Sequence, residues 1–184
     1  PIYIPHISAS ESMEVIRLFK KWGKPEFFTE TCPHYLVFTD DEFIKKGTLA
    51  KMSPPLRKQN DIDDLWDAVE KNEIDVLASD AAGHMAKANK PLHEQCFKAP
   101  NGIPGMENLI KTVYEEGINK GRMTCNTLVK LLCENPARIF GLYPQKGVLQ
   151  TGSDADIVIF DPAMQYTLPA NNRFMNVDYS LYEN

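Results

Sequence analysis

Apolar residues follow two patterns along the chain, short continuous runs and spacings of three and four residues. The continuous runs are typical of buried strands and predict strands at residues 2–7, 26–32 and 74–78. The wider spacings are typical of helices with an apolar face and predict helices at residues 8–22, 60–69, 105–120 and 125–134. Because a helix follows each of the first two strands, the order predicts a parallel sheet of the α/β class.

The last part of the chain has a different pattern. Residues 147–149 and 155–161 are β-rich and are separated by a turn-like sequence. We therefore expect two units, residues 1–145 with the parallel strands and residues 146–184 as part of a small β domain. A closed eight-stranded barrel takes about 250 residues, so three strands form either part of a barrel or a smaller open sheet. Because the first strand pattern begins without a methionine, we expect a fragment of a longer protein.

Composition narrows the classes of partner. The chain has 184 residues, of which 43% are hydrophobic and 24% charged, and a formal net charge of −5. That charge, with scattered basic residues, argues against nucleic acid or an anionic membrane as the main partner. No apolar run approaches the roughly 20 residues that span a bilayer. We expect neither nucleic acid nor membrane as a partner.

Four cysteines are widely spaced and form no C-x-x-C pair. This spacing favours reduced thiols in the core of a cytoplasmic protein over disulfides or a structural zinc site.

Trp22 and Trp66 fall at helical spacing among apolar neighbours, and we expect both in the core.

Two residues with chemical potential follow predicted strands, where parallel sheets place their active sites. His6 lies at the end of the first strand, and Asp80 follows the third. A histidine offers a neutral imidazole to a divalent metal, and an aspartate offers an oxygen that also accepts protons. Taken singly, each is more often structural: a histidine packed or at the surface, an aspartate in a turn or helix cap.

Three other histidines are weaker candidates. His34, next to Tyr35, could be a third ligand, but a packed histidine is the favoured interpretation. His84 and His93 lie in the long polar segment 81–102, whose length is typical of a functional loop. We do not expect either of them to bind metal.

Six motifs occur in a fixed order along the chain. They are IPHIS at 4–8, ETCPHYL at 30–36, MSPPLR at 52–57, PNGIPG at 100–105, ENPARIFGLYP at 134–144 and GSDADIV at 152–158. The last two are typical of the wider cyclic amidohydrolases, and MSPPLR with PNGIPG of the hydantoinase branch. Over nearly all of its length, the chain therefore resembles the C-terminal part of the dihydropyrimidinase/hydantoinase family.

The resemblance implies a fold, a site and a substrate. The fold is a TIM-like barrel with a β-sandwich domain, often assembled into tetramers. His6 and Asp80 would bind metal in a binuclear zinc site, and Asp80 would also act as the general base. Main-chain groups at Ser53 and Asn101 would hold a small cyclic amide or ureide such as a hydantoin or dihydropyrimidine.

The sequence departs from the family pattern in two ways. The usual Asp-His-Cys is replaced by Asp80-Ala81-Ala82, and the family's other metal ligands lie upstream of the matched region. Because zinc takes about four ligands, we expect the chain alone to be inactive. The alternatives are a non-catalytic dihydropyrimidinase-related protein, favoured by Ala81, an allantoinase or dihydroorotase, and a small non-catalytic α/β domain.

Overall fold

A three-stranded parallel sheet is the centre of the fold. The computed structural model describes residues 1–90, 96–165, 167–168 and 174–183. The strands are β1 (Ile2–Ile4), β2 (Phe27–Thr31) and β3 (Val76–Leu77), in the order β1-β2-β3. Ile2 pairs with Phe27, and Glu30 pairs with Val76. The α/β class and the three parallel strands are confirmed.

Helices connect the strands and follow the sheet. They are α1 (Ser10–Trp22), α2 (Pro33–Val37), α3 (Asp41–Lys46), α4 (Gln59–Glu70), α5 (Ala86–Asn89), α6 (Leu109–Val113), α7 (Cys125–Val129) and α8 (Asn135–Ile139). Short 3-10 turns cover Gly47–Ala50, Cys96–Lys98 and Met106–Asn108, and π turns cover Tyr114–Asn119 and Lys130–Glu134. The turns extend α6 to residues 106–119 and join α7 to α8 over residues 125–139.

The two longest helices pack against each other beside the sheet. Helix α1 buries Met13 and Ile16, and α4 buries Leu65 and Val69. Asp61 of α4 joins the helices, because its Oδ1 accepts hydrogen bonds from the first residue of α1, from the Ser10 main-chain N–H at 2.9 Å and its hydroxyl at 3.0 Å. These bonds fix the start of α1 against α4.

The β-rich pattern near the end of the chain does not produce strands. Residues 147 and 148 lie in a bend and residue 149 has irregular structure, as have residues 155–161, where Val158 and Ile159 are exposed. A strand needs a neighbour for its N–H and C=O groups. None of the described residues provides that neighbour, so the strand prediction for these segments is wrong here.

Two further expectations are corrected in part. Trp66 is buried and donates its indole N–H to the Leu36 carbonyl at 2.9 Å, but Trp22 is 72% exposed. Trp22 lies on the second apolar stripe of α1, opposite the stripe that packs on α4. All four cysteines are free, as expected, yet only Cys32 is buried, while Cys125 and Cys133 are exposed.

In the part of the chain that the structure describes, no helix is both long and apolar enough to cross a membrane.

Candidate functional site

The candidate site lies where the three parallel strands end. His6 comes two residues after β1, Cys32 directly follows β2 and His34 lies at the start of α2, and Asp80 comes three residues after β3. Because parallel strands end at the same edge of a sheet, segments far apart in sequence meet there. The sheet therefore brings the predicted residues His6 and Asp80 to a common edge.

His6 and Asp80 share an uncommon backbone conformation. Their φ angles are 41° and 43°, in the left-handed region that L-residues rarely adopt. The third non-glycine residue of this kind in the described ranges is Asn72, in a turn after α4. Strained residues of this kind concentrate at functional sites, so this observation supports the sequence-based choice of His6 and Asp80.

A cluster of possible metal ligands forms around Asp80. The ligand atoms of Cys32, His34 and Asp80 all lie within 4.8 Å of one another, and the His34 Nε2–Asp80 Oδ2 distance is 4.0 Å. The His34 side chain is 1% exposed, whereas that of Asp80 is 38% exposed. His6 is outside this group of three. We refer to Cys32, His34 and Asp80 as the strand-end cluster.

The side chain of His34 is buried without a hydrogen-bond partner among the described residues. Neither Nδ1 nor Nε2 has a partner among the described residues, although buried polar atoms nearly always have one. The ring packs edge-on against Tyr35, with 4.2 Å between the ring centroids. The expectation of a histidine packed beside Tyr35 is thus met, but the packing uses neither nitrogen.

Burial is the largest cause of the pKa shifts of all three residues in the cluster. Burial and then the charge of His6 lower the pKa of His34 to about 3, which keeps the imidazole neutral near pH 7. Burial also raises the pKa of Asp80, while His6 opposes this effect. Burial, followed by the negative charges of Asp80 and Glu30, raises the pKa of the Cys32 thiol. His6 therefore affects the pKa values of both His34 and Asp80.

The segment that carries Ser53 is fixed to the cluster by a hydrogen bond. Ser53 is exposed and precedes Pro54. The hydroxyl of Tyr35, the residue next to His34, donates to the Pro54 carbonyl at 2.7 Å. The Ser53 backbone is therefore held close to the helix that carries His34.

The segment that carries Asn101 is joined to the one that follows Asp80. The Ala82 N–H donates to the Ile103 carbonyl at 2.8 Å, and the Gly102 N–H donates to the Lys51 carbonyl at 3.0 Å. Asn101 itself is exposed. These bonds place the Asn101 loop between the Ser53 segment and the Asp80 segment.

The remaining histidines do not join the cluster. Nε2 of His84 lies 3.1 Å from the Asn101 carbonyl oxygen, which makes His84 a support for the loop. His93 lies outside the described residues. Cys32 is the cluster member that the sequence did not suggest as a candidate ligand, although it directly follows a strand, the same signal that suggested His6 and Asp80.

Comparison with known proteins identifies the family. The amidohydrolase family model matches residues 10–181. The D-hydantoinase of Ralstonia pickettii is 36% identical over 187 residues, which cover 100% of this chain and 40% of that protein. A D-phenylhydantoinase of Escherichia coli is 36% identical over 185 residues, with the same coverage. The chain thus spans about 40% of the length of the curated relatives that it matches.

Solved structures agree with the sequence comparison. The crystal structure of dihydropyrimidinase from Brevibacillus agri matches with a TM-score of 0.93 and 33% identity, over 98% of this chain and 40% of that chain. The L-hydantoinase of Arthrobacter aurescens matches with a TM-score of 0.85 and 36% identity, over 91% of this chain and 37% of that chain. The chain therefore belongs to the amidohydrolase family, whose members depend on metal ions.

Proposed function

We propose that this chain carries part of the active site of a zinc-dependent hydrolase that opens the cyclic amide bond of hydantoins or dihydropyrimidines. The observation that carries the proposal is the convergence of His6 and Asp80 at the end of the sheet, both in strained left-handed conformations. The similarity to hydantoinases and a dihydropyrimidinase across the whole chain supports the substrate class.

The residues present fit a metal such as zinc. His6 provides a nitrogen donor, Asp80 provides oxygen donors, and the unpartnered nitrogens of His34 show that polar groups there lack protein partners. When bound, zinc polarises a carbonyl oxygen and lowers the pKa of water. His6 and Asp80 supply two of about four ligands, and by the family resemblance the others belong to upstream segments.

Asp80 is the proposed general base. Its pKa is raised by burial, which moves the carboxylate towards the range where a base works well near neutral pH. Its side chain is 38% exposed, so water can reach it. Asp80 would accept a proton from the attacking water and return it to the ring nitrogen that leaves.

Ser53 and Asn101 are the proposed substrate-binding residues. Both are exposed, and both lie on segments held by main-chain hydrogen bonds near Asp80. The Asn101 carbonyl accepts from His84 if Nε2 is protonated, and a carbonyl oxygen has a second lone pair for a ring N–H. Fixed main-chain groups of this kind orient a planar ring without a loss of side-chain entropy.

The larger context of the site is also a proposal. By resemblance, residues 1–145 form part of a TIM-like barrel and residues 146–184 part of a β-sandwich domain. We further propose a tetrameric assembly, which the family resemblance implies, and a cytoplasmic location, which the free cysteines favour.

Hydrolysis of hydantoin and dihydrouracil tests the proposal. The assay uses the chain alone and the chain extended upstream as the family resemblance implies, in the presence of zinc and bicarbonate. Asp80→Ala is expected to lower kcat by about 10²- to 10⁴-fold, the usual contribution of a general base. The control, Asp63→Ala, changes an exposed carboxylate on α4 and is expected to keep normal activity. Full activity in Asp80→Ala would exclude this residue as the base.

A non-catalytic relative is the second candidate, and one residue favours it. Ala81 occupies the position next to Asp80 where the family usually has histidine, and its backbone pairs with Ile103. A protein of this kind would bind no metal and hydrolyse neither ring. The metal content of the full protein therefore separates the two candidates.

A further inference from the structure

We propose that residues 178–183 form a strap that holds the Asn101 loop in place for the substrate, and that Asp178 is the positioning residue of this strap. Residues 179–182 are buried, so the strap is packed into the molecule. The proposed hydrolysis gives these residues no role. The inference rests on the proposed part of Asn101 in substrate binding.

Asp178 fixes the strap to the segment that precedes the Asn101 loop. Its Oδ1 accepts a hydrogen bond from the Ala86 main-chain N–H at 2.6 Å, and its Oδ2 lies 3.5 Å from the Lys87 main-chain nitrogen. The bond from Ala86 also lowers the pKa of the Asp178 carboxyl, which is therefore charged near pH 7. Hydrogen bonds to a charged acceptor are stronger than those between neutral groups. Asp178 is thus a firm anchor for the start of α5.

His84 connects this anchor to Asn101. It lies two residues before Ala86, and its Nε2 is 3.1 Å from the Asn101 carbonyl oxygen. Because Asp178 fixes Ala86, it also limits where the His84 ring can lie. Asp178 therefore acts on Asn101 through His84 and does not itself touch the substrate.

Tyr182 fixes the strap to the other side of the loop. Its ring lies against Gly105, where an added Cβ would be 2.8 Å from the ring carbon Cε2. The same ring packs against Phe38, with 5.0 Å between the ring centroids. The strap thus contacts the chain before and after Asn101, and the loop is held between two anchors.

Loss of the Asp178 anchor should weaken substrate binding and leave the chemical step unchanged. When only a fraction of molecules has the loop in position, the apparent affinity falls by that fraction. Hydrogen bonds to a charged acceptor change such an equilibrium by about tenfold or more, so Asp178→Ala should raise the KM for hydantoin and dihydrouracil about tenfold. The kcat should stay within about twofold of the unmodified protein, because the lost contact serves binding. Partial unfolding would instead lower the apparent kcat at an unchanged KM.

Two further variants of single carboxylates serve as comparisons. Asp178→Asn keeps an acceptor oxygen and should restore most of the KM. Asp161→Ala removes a carboxylate that accepts the Ala163 N–H at 2.9 Å, only two residues along the chain, and should leave the KM normal. A normal KM in Asp178→Ala, or an equal rise in Asp161→Ala, would overturn the positioning role.

A double variant tests the route through His84. His84→Ala should also raise the KM, since it removes the contact with the Asn101 carbonyl. Residues that act in series are not additive, so adding His84→Ala to Asp178→Ala should change the KM little further. Fully additive effects of the two changes would overturn this route.

Hydrogen–deuterium exchange of the full protein tests the strap without any assay of activity. The Gly102 N–H is the informative amide, because it donates to the Lys51 carbonyl and has no contact with Asp178. Exchange of a peptide that covers residues 100–105 should be about tenfold faster in Asp178→Ala, because the loop opens more often. Unchanged exchange would overturn the strap.

The two measurements separate this inference from the proposed function. If the unmodified protein hydrolyses neither ring, the hydrolase proposal is contradicted, and faster exchange in Asp178→Ala still supports the strap as the anchor of the loop. Hydrolysis with a normal KM in Asp178→Ala would support the hydrolase and overturn the positioning role.

Discussion

Lys90 is a buried cation at the edge of the candidate site. Its side chain is 0% exposed, and its ammonium donates to the Lys51 carbonyl at 2.9 Å. The Lys51 ammonium in turn donates to the Cys96 carbonyl at 2.8 Å and to the Ala99 carbonyl. Burial, followed by the charge of Lys51, lowers the pKa of Lys90 to about 8. The two lysines link the Ser53 segment to the Asn101 loop.

We predict that Lys90 contributes more to the stability of the folded protein as the pH rises. Because its pKa is lower in the folded protein than in the unfolded chain, the unfolded chain binds more protons between about pH 8 and 10.5. Lys90 should therefore contribute an increase of on the order of 3 kcal/mol in the free energy of unfolding over this window. The raised pKa of the Cys32 thiol acts in the opposite direction over the same pH range. Urea unfolding at pH 7.5 and 10 measures this increase.

The matched control for this prediction is Lys90→Met, which keeps the length of the side chain and removes its charge. The difference in unfolding free energy between the two pH values should be smaller in the variant. An equal pH response in both proteins would show that another group causes it.

The sequence predicted part of the candidate site residue by residue. His6 and Asp80 could be proposed from the sequence because each follows a strand pattern. His34 was expected to pack beside Tyr35. The lack of a hydrogen-bond partner for either ring nitrogen of His34 could not be predicted, because it depends on which groups β3 brings near the ring. Asp80 is 46 residues away in sequence, as their numbers show, and only the sheet brings the two together.

At the scale of the elements, apolar spacing predicted the existence of helices better than their exact bounds. The predicted helix at 8–22 begins at Ser10, where Asp61 of α4 accepts the main-chain N–H. The first predicted strand, 2–7, ends at Ile4, before the left-handed turn at His6. Both differences come from contacts or turns that the spacing of apolar residues does not predict.

The loop after Asp80 depends on a close approach between two backbones. Gly102 has a φ of 102°, and a Cβ added there would lie 2.5 Å from the Cβ of Ala82. Only glycine fits this conformation without strain. We therefore predict that Gly102→Ala separates the Asn101 loop from the segment that follows Asp80.

The expected effect of Gly102→Ala is a decrease of about 1 to 3 kcal/mol in unfolding stability, together with a higher KM for the cyclic amide. Thermal unfolding and steady-state kinetics measure the two effects. Gly83→Ala is the control, since an added Cβ there would meet nothing within 4 Å. Equal behaviour of the two variants would contradict the role of the close approach.

At the scale of the whole molecule, the order of strands and helices was enough to predict the parallel sheet. The β-rich segment at 155–161 was not enough to predict a strand. Helices form through local hydrogen bonds, whereas a strand depends on a partner that its own sequence does not specify. The same reasoning explains why Trp22 is exposed while Trp66 is buried: α1 carries two apolar stripes, and only one packs against α4.

Metal dependence of hydrolysis is the most direct test of the central claim, that the strand ends form a metal-dependent amide hydrolase site. The full protein would be treated with a chelator and assayed with hydantoin and dihydrouracil before and after zinc is restored. The account predicts that activity disappears with the metal and returns with zinc, and that His6→Ala prevents the return because it removes a ligand. Activity that survives complete removal of metal would contradict the account.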